Sequence, residues 1–220
     1  MNEISIGKIY RFRKNNDFII ARDKYGEIIQ KFGRPLVVFY SDDKVYYLSV
    51  KSLTKSNKKM SIADNTNVIV PNGVYGYGNS NVISCASINI MDKKLFESLF
   101  EIDNELNNYS LNRYIYNDVM NKLFENMNNI RYFEVDHFDF DNNQTIWKLE
   151  EEAIKNKPEC EKVMKKYRDL TINTKLLNEF ENDDDFYSFL KEEYMSILLE
   201  YKKNNINKNI EDNKNRKLKL

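Results

Sequence analysis

A single histidine, His137, limits the acid–base chemistry open to this 220-residue chain. Zinc sites built on paired histidines, Ser-His-Asp triads and Cys-His dyads all draw on imidazole, and only one is present. His137 sits in RYFEVDHFDF, crowded by carboxylates and aromatics with no nucleophile motif around it, which predicts a structural role. Two cysteines, Cys85 and Cys160, are too few for a disulfide framework and read as reduced thiols. Glu150-Glu-Glu152 has the composition of a metal cluster, but consecutive helical residues point in different directions, so a solvated face is expected. Gly76 and Gly78 look like fragments of a phosphate loop. No strand leads into them, no helix follows and no GK[ST] is present, which argues against a nucleotide fold. The interleaved Tyr75 and Tyr77 offer rings that could stack on a base, although an ordinary loop is the commoner explanation.

The elements that must position such residues are signalled by glycine and charge. All six glycines lie in the first 78 residues, which predicts a loop-rich β region followed by helices. The formal net charge is +0, from 34 Lys/Arg and 34 Asp/Glu. Along the chain that neutrality is a cancellation. Residues 1–60 carry +7, residues 61–130 carry −4, residues 131–200 carry −8 and the last twenty carry +5. The apolar fraction of 41% suffices for a core, and no apolar run approaches the roughly 18–20 residues of a bilayer span. The opening MNEISIGKIY lacks the pattern of a secretory signal, so a soluble, cytoplasmic protein is expected.

Lys8-Ile-Tyr-Arg-Phe reads as a first strand, and a hairpin is expected to turn at Tyr25-Gly26. Arg34-Pro-Leu-Val-Val-Phe-Tyr reads as a buried strand, Ser41 to Lys44 as a turn and Val45 to Val50 as the returning strand. Lys51 to Lys59 reads as a basic loop and Asn81 to Ile90 as another strand. From Ser110, a plausible N-cap, apolar residues recur at helical spacing through Met127. Further helices are expected over Thr145 to Asn156, from Pro158 and over Asp183 to Lys203, before a disordered basic tail. The fold class is α+β: a small β-barrel over residues 1–130, a mainly helical acidic extension over 131–203 and a tail over 204–220.

In order, five N-terminal segments resemble the MazF/PemK-like toxin domain, a small SH3-like β-barrel of bacterial toxin–antitoxin endoribonucleases. They are Gly7-Lys-Ile-Tyr, Gly33-Arg-Pro-Leu-Val-Val, Tyr46-Tyr-Leu-Ser-Val-Lys-Ser, the run from Asn81 to Leu95 containing Asp92-Lys-Lys-Leu, and Glu101 to Phe124. The likeness spans residues 5–127. The family often has Thr where Lys51-Ser52 stands, and the Gln and Arg common before its Asp-Lys pair are Ser87 and Asn89 here. The related ToxN toxins, whose antitoxin is an RNA, share the barrel, and Ser52 with Lys55 is similar to their Thr-Ser followed by lysine. The abundant Asn and Lys fit an A/T-rich bacterial or phage genome.

The resemblance implies cleavage of single-stranded RNA without a metal or other cofactor, by attack of the neighbouring 2′-hydroxyl, leaving a 2′,3′-cyclic phosphate and a 5′-hydroxyl. Arg34 would stabilise the added phosphate charge through its planar fork, Ser52 would donate a hydrogen bond to the phosphate, and Lys51 and Lys55 would add cationic stabilisation or proton transfer. RNA would be held by Tyr10, Arg11, Arg13, Lys14, Lys58, Lys59, Tyr75 and Tyr77, with Tyr25 as a further stacking residue. Expected partners are the RNA, a cognate antitoxin that is either protein or RNA, and a second copy in a homodimer. The acidic region would either shield the basic surface or serve dimerisation and solubility. The competing reading is a non-enzymatic SH3-like barrel acting as an interaction module.

Overall fold

Leu36-Val-Val-Phe-Tyr occupies the middle of the molecule because its apolar side chains can be buried on both faces of a sheet. The computed structural model describes residues 4–12, 21–29, 35–71, 80–102, 111–142, 144–172, 175–196 and 199, and in it Leu36 to Tyr40 are each no more than 3% exposed.

The strands are β1 (Ile9–Phe12), β2 (Leu36–Ser41), β3 (Lys44–Ser52), β4 (Asn67–Val70), β5 (Asn81–Ser84), β6 (Ser87–Asp92), β7 (Phe100–Ile102), β8 (Arg131–Asp139) and β9 (Gln144–Trp147). They form one sheet in the order β7-β1-β2-β3-β6-β8-β9, with β5 added to β3 and β4 to β5. Among the described residues, all of these pairings are antiparallel except β6 with β8. The helices are α1 (Lys58–Ala63), α2 (Lys93–Leu99), α3 (Arg113–Glu125), α4 (Glu150–Ala153), α5 (Lys157–Ile172), α6 (Leu176–Glu179) and α7 (residues 183–196).

Helices cover one face of the sheet, where Ile9, Val37, Phe39, Leu48 and Ile90 pack with residues of α3, α5 and α7. The opposite face buries Tyr10, Val38, Tyr47 and Met91 beneath Phe96 and Leu99 of α2, with Ala21, Val135 and Phe138. A β-bulge between Val38 and Tyr40 breaks the alternation and brings Tyr40 to the helical side beside Phe39. Gly7, at φ +75°, lies where α7 closes on the head; a methyl group there would overlap the Tyr187 ring, whose hydroxyl donates to the Leu111 carbonyl at 2.6 Å.

The architecture is mixed α+β, but the described strands do not close into a barrel. Nor is the chain beyond residue 130 mainly helical at its start: RYFEVDHFD is a nine-residue strand, β8, whose first four residues pair with Ser87–Ile90. The expected helix over Thr145 to Asn156 is instead β9, then α4 and a 3₁₀ turn. The stretch from Asn81 is two strands broken at Cys85-Ala86. The observed cap of α3 is Asn112, whose side chain accepts from the Ile115 amide; Ser110 lies outside the described residues.

Candidate nucleic-acid interface

Strand β3 changes partner along its length, pairing through Lys44–Tyr47 with β6 and through Val50–Ser52 with β5. Its last residues thus leave the body of the sheet and end against Asn81. The turn that follows is held by one side chain: Asn57 donates to the Ser52 carbonyl at 3.0 Å and accepts from the Thr54 amide at 2.8 Å. The Lys58 amide then donates to the Thr54 carbonyl at 2.9 Å and opens α1. Asn57, which the sequence reading did not single out, therefore fixes a basic ridge of Ser52, Lys55, Lys58 and Lys59, all exposed, with half-buried Lys51 at its root. What reads as a basic loop is a strand end, a fixed turn and a helix only about 9 Å long.

A second element is clamped to the far end of that ridge. Residues 21–29 form a tight turn with a bridge between Arg22 and Ile28, as the Tyr25-Gly26 signal predicts. Asp23 accepts from the amides of Tyr25 and Glu27 at 2.8 and 3.0 Å, and Gly26 takes φ +82°. This leaves the Tyr25 ring 71% exposed. Ser87 and Asn89, buried on β6, hold the turn from below by bonding the Arg22 backbone, Ser87 at 2.9 Å and Asn89 at 2.7 Å. Lys24 holds it from the side through Asp64, the C-cap of α1, at 2.6 Å. Burial alone would raise the Asp64 carboxyl, but hydrogen bonds from Lys24 and Thr66 outweigh it and hold it below the usual range. The Lys24 ammonium is raised, chiefly by the same hydrogen bond. Beside them, Arg131 forms a bidentate pair with Glu150 at 2.9 and 2.7 Å, and Arg22 lies over the Trp147 ring at 4.9 Å.

No family model and no curated protein matches this chain.

The remaining predicted site residues fall into three groups. Arg34, Arg13, Lys14, Tyr75 and Tyr77 lie outside the described residues. Pro35, directly after Arg34 in the chain, accepts from the Val50 amide at 3.1 Å, so the start of β2 lies beside the end of β3. Tyr10 is corrected: it is 5% exposed, edge-on to Phe96 at 5.2 Å, and its hydroxyl accepts from the Ser5 amide, so no ring face is open to a base. Burial pushes its hydroxyl up to about 12. Arg11 lies 3.4 Å from Glu101 on β7. His137 is exposed and contacts Asp136 at 2.8 Å. Glu151 and Glu152 are solvated, and Glu150 is taken by Arg131.

Chemically, the ridge presents ammonium groups and a hydroxyl on a rigid edge, with an exposed aromatic at one end. Lysines in such an array neutralise phosphates without regard to sequence, and the tyrosine face accepts any unstacked base.

Proposed function

We propose that the protein is a metal-independent endoribonuclease toxin of a toxin–antitoxin pair, built on this mixed sheet and acting on single-stranded RNA at the end of β3. The RNA 2′-oxygen attacks the adjacent phosphorus, its proton is taken up, the bond to the 5′-oxygen breaks and that oxygen is protonated as it leaves. Arg34 carries the growing phosphate charge, Ser52 donates to a phosphate oxygen, and Lys51 and Lys55 supply the neighbouring positive field. Lys58, Lys59 and Tyr25 hold the flanking RNA.

The observation that best supports this reading is the Asn57-fixed ridge, which gathers Ser52, Lys55, Lys58 and Lys59 on one edge. The Pro35–Val50 hydrogen bond adds to it, since a site shared by Arg34 and Ser52 needs those two strand ends to be neighbours. A second reading, a non-enzymatic interaction module, is favoured by Met60 and Ile62, which are 72% and 55% exposed on α1 between the lysines and Asp64.

Expression of the full chain separates the two. The nuclease arrests growth and converts single-stranded RNA to fragments ending in 2′,3′-cyclic phosphate, and Arg34→Ala with Ser52→Ala relieves both effects. Intact RNA and undiminished growth with the wild-type chain leave the interaction module.

A further inference from the structure

Between α3, α5 and α6 the fold leaves a cleft of about 340 Å³, lined by residues that take no part in the basic ridge. Its frame is tied together from α3: the Leu177 carbonyl accepts from Arg113 Nε at 2.5 Å, and the Asn178 side chain accepts from the Tyr114 hydroxyl at 3.1 Å. Inside it, the side-chain amide oxygens are already engaged. Arg168, which can only donate, bonds Asn121 Oδ1 through Nη1 at 3.1 Å, and the Tyr167 hydroxyl donates to Asn117 Oδ1 at 3.1 Å. Among the described residues, the amide NH₂ groups of Asn117 and Asn121, Nε and Nη2 of Arg168 and the Lys175 ammonium have no acceptor, and all of them reach solvent. No described carboxylate lines the cleft. Asp118 and Asp169, next in the chain to Asn117 and Arg168, lie on other faces of their helices.

We propose that this cleft binds a small phosphomonoester with an apolar body, its phosphate on Arg168, Lys175 and the amides of Asn117 and Asn121, and its body against Ile172 and Leu177. Two cations with no carboxylate beside them match a ligand that carries nearly two negative charges, as a phosphomonoester does at neutral pH. A carboxylate brings one charge and two oxygens and leaves part of the donor set unused. A nucleic-acid strand would extend past these cations over a half of the chain whose residues 131–200 carry −8, which favours the small ligand. Ile172, 59% exposed, and half-buried Leu177 give the body an apolar surface beside the donors. The volume lies at the lower end of the roughly 300–1,000 Å³ of small-ligand pockets.

The donors differ in how firmly they are held. The Arg168 guanidinium lies over the Phe124 ring at 5.5 Å and is tied to Asn121, so its plane is set while its remaining in-plane N–H groups stay open. Little further ordering is needed when a phosphate meets that fork. Lys175, exposed just before α6, supplies charge without fixed geometry. Arg168 therefore carries more of the affinity than Lys175.

A titration of the full chain with phenyl phosphate, followed by amide NMR, tests this. Phenyl phosphate should bind and move the side-chain amide signals of Asn117 and Asn121, while benzoate, with a single charge, should bind at least about tenfold more weakly. Arg168→Lys keeps the charge but loses the fork and should weaken phenyl phosphate by at least about tenfold. Lys175→Gln, at an exposed position, should weaken it at least about threefold with an unchanged melting temperature. The proposal is overturned by no binding at millimolar phenyl phosphate, by benzoate binding equally well, or by either variant binding as wild type. Shifts confined to the backbone amides of Lys58 and Lys59 would place the ligand on the ridge and overturn it too. Inorganic phosphate binding as tightly as phenyl phosphate overturns the assignment of Ile172 and Leu177.

Discussion

Two carboxyl groups flank the β2–β3 hairpin, and burial acts on both in the same direction, yet they end in opposite states. Glu134 on β8 is 4% exposed and accepts from Lys44 at 2.8 Å, Lys148 at 2.7 Å and Asn156 at 2.8 Å. Burial would raise it, but those donors outweigh burial and keep it below the usual carboxylate range. Asp42, two residues before Lys44, accepts only the Lys44 backbone amide at 2.7 Å and faces the Glu159 carboxyl, so burial and Glu159 push it up to about 7. Desolvation sets the stakes at each place, and whether the facing side chains are cationic or acidic decides the outcome. The first cluster staples β3, β8 and the turn before α5 together. The second leaves a carboxyl that changes charge near neutral pH.

Breaking the staple should have the largest effect. Glu134→Ala removes the carboxylate shared by Lys44, Lys148 and Asn156 and should cost about 3 kcal/mol in denaturant unfolding, the low end for a buried pair because both lysines are about one-third exposed and Lys44 keeps its bond to Asn156. The wild-type contribution of Glu134 is present above the ordinary glutamate value and is lost as pH falls through its lowered value.

Asp42 should give the opposite slope. Its contribution is complete below the ordinary aspartate value and is lost as pH rises through about 7. Asp42→Asn should therefore gain stability relative to wild type as melts are recorded from acid to mildly alkaline pH. A parallel pair of curves would show that Asp42 does not share its proton.

Smaller again, Tyr40→Phe removes only the donor to Glu159 and should cost about 1 kcal/mol. Lys122→Ala, which breaks an exposed pair with Glu125 on α3, should change stability by no more than about 0.5 kcal/mol and sets the baseline for the other three.

Local chemistry was legible in the sequence where burial and turn signals agreed. Leu36–Tyr40 is continuously apolar, Ser41–Asp43 can mimic backbone hydrogen bonds, and Leu111, Ile115, Val119 and Leu123 repeat at helical spacing; all three stretches fold as those patterns require. Long-range pairing was not legible. Nothing in Ser87–Ile90 announces a parallel partner more than forty residues later, because register between distant strands depends on which faces other elements cover. Tyr10 fails for the same reason: alternation put it opposite Ile9, but only the placement of α2 shows that both faces are inside. Of the ridge, the lysines were visible and Asn57 was not, since its two hydrogen bonds reach backbone groups that any sequence would supply.

The parallel pairing of β6 with β8 also orders events during synthesis. Until residues 131–134 are available, the outer edge of β6 has four residues whose backbone groups lack their partner strand. An unpaired edge of that kind recruits other chains. A fragment ending at residue 130 should therefore aggregate, and a nascent chain must wait for its second half before the sheet that carries β3 and α1 is complete. Whatever surface that edge presents to the cell is thus coupled in time to the C-terminal half of the molecule.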